Sequence, residues 1–78
     1  MNIFEKRHTI EILKEEVGDS EINFNSPITV GNHCFYTMNK NGLISDDVVI
    51  PYKKLDDETL HDITNTIEEK HYYKSNYN

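Results

Sequence analysis

Seventy-eight residues with a net charge of −6, from 14 Asp and Glu against 8 Lys and Arg, leave room for one domain. They also disfavour direct nucleic-acid binding, because phosphates repel such a surface. A lone cysteine, Cys34, excludes an intramolecular disulfide and with it the disulfide-stapled secreted mini-protein. Met1 to Val17 is charged throughout and lacks the apolar stretch of a signal peptide, and no segment approaches the roughly 20 apolar residues that span a bilayer. The expected setting is therefore reducing and cytoplasmic, with no membrane partner.

A chain this short buries only about 60 % of its unfolded surface, so its core has little margin. Ile, Leu, Val, Phe and a few Tyr must supply that core, since Trp and Ala are absent. Self-association as a homodimer would add buried area. Asn, Ile, Lys and Tyr, which have AT-rich codons, fill 30 of the 78 positions. That bias points to an AT-rich genome such as that of a low-GC bacterium or its phages.

The first element is a helix over Asn2 to Val17. Ile3, Ile10, Leu13 and Val17 fall on one face at 3.6 residues per turn, and Gly18 is placed to stop it. Thr9 to Ile12 also alternates as a strand would, but the charged residues around it are good helix formers. Phe4 and Ile12 fall off the main apolar face.

Strands follow. Ile22 and Phe24 alternate with Asn23 and Asn25 until Ser26-Pro27 breaks the run, and Ile28 to Val30 leads into a turn at Gly31-Asn32. His33 to Met38 is a strand with Cys34, Tyr36 and Met38 on one side and His33, Phe35 and Thr37 on the other. The clearest turn is Asn39-Lys40-Asn41-Gly42, where Asn-Gly is suited to the positive φ angles of a tight hairpin. After Ser45-Asp46-Asp47, the strand Val48 to Ile50 is limited to an edge or an end by Pro51.

The last helix has the strongest start signal. Asp56 is a good N-cap, Leu55 before it can staple to Leu60, and Asp57 and Glu58 occupy the first turn, where the helix dipole favours negative charge. Leu60, Ile63 and Ile67 form its buried stripe, and His71 continues that line. The helix is expected to end near Tyr73, leaving Lys74 to Asn78 as a loose tail. The fold class that results is α+β: an N-terminal helix, a three- to four-stranded antiparallel sheet, and a C-terminal helix packed on one face of it.

Opposite the buried stripe, Glu58, Asp62, Asn65 and Glu69 recur at i, i+4, i+7 and i+11. Four residues at about 1.5 Å rise set successive acids roughly 6 Å apart, close to the spacing of phosphates along one nucleic-acid strand. Such a row can enter a groove that Lys and Arg line for a phosphate backbone. Asp46, Asp47, Asp56 and Asp57 could extend it at one end. Tyr72 and Tyr73 lie at or beside the same face and would add apolar area with little entropy loss. The competing explanation is a solvated helix face, the usual reason for a charge run, and the dipole alone accounts for Glu58.

No other constellation carries chemistry. A zinc site takes about four ligands, whereas this chain has Cys34 and four scattered histidines, His8, His33, His61 and His71. His33 and Cys34 are adjacent on a strand and diverge to opposite faces, so Cys34 reads as a small core residue. The doublets Glu15-Glu16, Asp46-Asp47, Asp56-Asp57 and Glu68-Glu69 are sequence neighbours, not carboxylates facing one another across a pocket. Neither an enzyme nor a cofactor is expected. The tail from Lys70 to Lys74 interleaves bases with aromatics as some single-strand binders do, but the acids around it oppose that use.

In size, charge and composition, and not in any motif, the chain resembles small acidic proteins of mobile elements, among them anti-restriction and anti-CRISPR inhibitors that mimic DNA. The resemblance implies a non-enzymatic inhibitor that docks on a protein with a basic, nucleic-acid-binding surface. The alternative is a small interaction or regulatory module, in one form a homodimer, that uses an apolar patch. Phe4 and Ile12 speak for that alternative, as does the strand edge at Val48 to Ile50.

Overall fold

The computed structural model describes the backbone of residues 1–76 and the side chains of residues 1–68. Helix α1 (Ile3–Val17) leads into a four-stranded antiparallel sheet of β1 (Ile22–Val30), β2 (His33–Asn39), β3 (Gly42–Ser45) and β4 (Val48–Ile50). A 3₁₀ turn over Tyr52–Lys54 then delivers the chain to helix α2 (Asp57–Asn76). The α+β arrangement of helix, antiparallel sheet and helix expected from the sequence is the one observed.

Helix α1 begins where Asn2 caps it, its side-chain oxygen accepting from the Glu5 N–H at 2.9 Å. It ends at Gly18, whose φ of 61° with ψ of −137° is a backbone conformation that glycine reaches and residues with a Cβ rarely do, and whose N–H reaches the Lys14 carbonyl. Leu13 and Val17 are buried and Ile10 packs against the core. Ile3, expected on the same face, is 60 % exposed instead.

The sheet is a meander in the order β1-β2-β3-β4, each strand joined to the next by a two-residue turn. Gly31 supplies a φ of 62° at the first position of one turn, and Asp46 takes 47° in another, a conformation Asp tolerates better than most residues. The turn at Lys40-Asn41 departs from the sequence expectation. Neither residue has positive φ, and Asn39 organises the turn by accepting from the Asn41 N–H at 2.8 Å through its side chain. Gly42 is the first residue of β3, not a turn residue. Its φ is 138°, and a Cβ there would overlap the carbonyl of Ile50 on the neighbouring strand.

Two further expectations are corrected at β1 and β2. Ser26-Pro27 does not divide β1; the strand runs through it, while the register with β2 shifts between Asn23 and Ile28. Proline removes a ladder donor without preventing an extended backbone, so the pairing yields and the strand does not. On β2 the buried residues are Phe35 and Met38, three positions apart, whereas Cys34 and Tyr36 are exposed. Strict alternation cannot present both Phe35 and Met38 to one core. The phase changes opposite the irregular part of β1, where Phe35 pairs with Ile28 and Met38 with Ile22.

The core row across the sheet is Ile22, Met38, Leu43 and Ile50, which are register partners strand by strand. The next row, Asn23, Thr37, Ile44 and Val49, occupies the opposite, outward face. Leu60, Ile63 and Ile67 of α2 close the core together with Leu13 and Val17 of α1. Burial of each of the three α2 residues contributes about 1.5–3 kcal/mol. Tyr52 is also buried, and its hydroxyl donates to the Asn39 carbonyl, tying the 3₁₀ turn to the end of β2. Burial raises its phenol well above the ordinary tyrosine value.

Helix α2 continues through Asn76, past the end expected at Tyr73. No Gly or Pro interrupts Glu68 to Asn76, so nothing local stops it. Of the tail expected over 74–78, residues 74–76 fall within this helix and the last two lie outside those described.

Candidate binding surface

The acidic face is positioned by the start of α2. Asp56 accepts from the Thr59 N–H at 2.8 Å, and Leu55 and Leu60 are both buried on either side of the cap. This staple fixes the rotation of the helix about its axis. The Thr59 hydroxyl, followed by its backbone N–H, holds the Asp56 carboxyl below the usual carboxylate range, with a smaller contribution from Lys6.

With Leu60, Ile63 and Ile67 directed inward, Glu58, Asp62 and Asn65 must point outward, and all three are exposed. Among the described residues, the Glu58 and Asp62 carboxylates have no hydrogen-bond or ion-pair partner. Thr64 and Thr66 turn their hydroxyls back onto the carbonyls of Leu60 and Asp62 at 2.8 and 2.9 Å, so they compete little for a ligand. The face thus offers two uncommitted carboxylates one turn apart, with an amide beyond them.

The remaining residues of the expected surface divide. The side chains of Glu69, Tyr72 and Tyr73 lie outside the described residues, as does that of His71. Asp46 and Asp47 are exposed but belong to a different element, the turn between β3 and β4. Asp56 is exposed and engaged in capping its own helix. Asp57 is half-buried and pairs with the Met1 amino group at 2.8 Å, which raises the pKa of that amine. Of the ten expected residues, Glu58, Asp62 and Asn65 form the coherent part.

Cys34 is exposed, not a core residue, because it lies on the side of β2 that the phase change leaves uncovered. Its sulfur stands 3.7 Å from the Thr29 hydroxyl across the strand pair. His33 turns away and packs its ring on Phe35, with centroids 4.7 Å apart. Among the described residues no group of three or more His, Cys, Asp or Glu could hold a metal ion, and no helix is long and apolar enough to cross a membrane.

A second feature, only partly legible in the sequence, is apolar. Phe4 is 75 % exposed and Ile12 44 %, both on the outward face of α1, and Val48 and Val49 are exposed on the edge strand β4. Phe4 and Ile12 were detectable because they break the helical period. The exposure of Ile3 carried no such signal, since it obeys the period and still lies outside the core. Compared with known proteins, the chain matches no family model, no curated protein and no solved structure.

Proposed function

We propose that the chain is a non-enzymatic binding protein that docks its acidic α2 face on a basic surface of a partner protein, in the manner of an inhibitor that presents carboxylates where the partner receives phosphates. The observation that carries this reading is the pair Glu58 and Asp62, exposed one helical turn apart on a rotationally fixed helix and free of ion pairs among the described residues. Spending these carboxylates on a partner breaks no internal contact. The net charge of −6 adds a long-range attraction to any basic surface and repels nucleic acid.

The test is the salt dependence of binding. A partner captured from a low-GC bacterial lysate and identified by mass should lose affinity steadily as ionic strength rises, because attraction between exposed charges is screened within about 10 Å at roughly 0.1 M salt. Affinity that stays flat from low to high salt refutes the reading. A second reading, an interaction module that uses an apolar patch, is favoured by one observation, the exposure of Phe4, Ile3 and Ile12 on α1.

A further inference from the structure

We propose that the outward face of α1 is a docking ridge for an amphipathic helix of a partner protein, one whose apolar row is flanked by Lys and Arg. This inference rests on the apolar-patch reading above and does not require the acidic α2 face. Phe4, His8 and Ile12 follow one another at i, i+4 and i+8, all exposed, on the side of α1 away from Leu13 and Val17. Eight residues of helix make a ridge roughly 12 Å long. Anchors at this spacing are what helix-on-helix recognition uses.

Charge selects the occupant. Glu5 and Glu11 are exposed on the two flanks of the ridge, and Glu15 is exposed at its end beyond Ile12. Arg7 stands only at its border, Lys14 lies beyond that border, and Lys6 is half-buried on the core side, where it acts on Asp56. The apolar ridge therefore runs through the acidic side of the helix. A second copy of this chain would set Glu5, Glu11 and Glu15 against their own equivalents. An anionic membrane or a nucleic acid meets the same repulsion. A helix with a Lys and Arg rim satisfies both the anchors and the acids.

The experiment uses two synthetic helical peptides: one with Leu at every third or fourth position and Lys elsewhere, and its counterpart with Glu in place of each Lys. Binding to the full chain is measured by fluorescence anisotropy and mapped by amide chemical shifts. The Lys peptide should bind with its largest shifts at Phe4, His8 and Ile12. Phe4→Ala with Ile12→Ala should weaken it by roughly 10-fold or more while the thermal melt stays unchanged. Glu58→Lys with Asp62→Lys should leave the shifts centred on α1, so that this proposal and the α2 reading fail separately. Equal binding of both peptides, indifference to the double alanine variant, or shifts centred on α2 would overturn it. So would a dimer in light scattering that the alanine pair abolishes, since that assigns the ridge to a second copy.

Discussion

Gly42 faces the carbonyl of Ile50 across the β3–β4 pair with no room for a side chain between them. Gly42→Ala must therefore push β4 away or twist β3, as well as force a φ of 138° on a residue with a Cβ. The expected cost is at least about 2 kcal/mol, read as a lower urea midpoint with little change in slope. Gly18→Ala is the comparison. Gly18 also has positive φ, 61°, but a Cβ there meets open space. Its expected cost is about 1–2 kcal/mol, from backbone conformation alone. Equal losses at the two positions would show that the contact with Ile50 is of no consequence.

Tyr52→Phe should cost about 1–2 kcal/mol, because it leaves the part-buried Asn39 carbonyl without its donor. The same residue has a spectroscopic signature. Burial raises its pKa, so the phenol stays neutral in the folded state at pH values where an unfolded tyrosine has ionised. Stability from this group is complete below about pH 10 and is lost as pH rises through the raised folded value. An absorbance titration should show a late-ionising tyrosine coincident with alkaline unfolding, and Tyr52→Phe should remove it. An unchanged titration curve would contradict the burial of the hydroxyl.

Asp56 is expected to govern acid sensitivity at the start of α2. Its folded pKa is lowered, so its contribution is complete above the unfolded value of about 4 and disappears as pH falls through the lowered folded value. Asp56→Ala should lower Tm by roughly 5 °C at pH 7 and by much less at the acid end of that window. Asp56→Asn keeps a capping oxygen, so it should retain most of the stability at pH 7 while flattening the acid limb. Parallel melts from pH 2 to 7 check this; a constant gap between wild type and Asp56→Ala at every pH would refute it.

Charge reversal examines the acidic face residue by residue. Glu58→Lys with Asp62→Lys should leave the circular dichroism spectrum intact, since neither carboxylate holds a contact among the described residues. Glu58→Lys gives up a favourable charge in the first turn, which costs about 0.3–1 kcal/mol of stability. Binding to the captured basic partner should weaken by roughly 10-fold or more, and its salt dependence should become shallower. Binding unaltered by the double reversal would leave these acids as ordinary solvated residues.

The parts of the fold legible in the sequence are those fixed by local chemistry. Gly18 stops α1, Asp56 with Leu55 and Leu60 starts α2, and Pro51 limits β4, each through an interaction within a few residues. The exposure of Glu58, Asp62 and Asn65 was legible for the same reason, because the buried stripe of α2 determines its opposite side. What escaped depends on distant strands. The burial of both Phe35 and Met38 needs the shifted register of β1, and the role of Gly42 needs Ile50 beside it. Tyr52, between Pro51 and Lys53-Lys54, has no periodic neighbours to announce its burial, which comes from closure of the turn onto β2.

Every pairing in the sheet is between consecutive strands through a two-residue turn. Each hairpin closes a very short loop, so the chain entropy lost in assembling the sheet is small at every step. The slow search falls instead to the helices, since Met1 and Asp57 meet only across 56 positions of sequence. The sheet can thus form early, and docking of α1 and α2 is the later event that completes the core. Substitutions in the three turns should slow folding, whereas those in the helix interfaces should mainly speed unfolding.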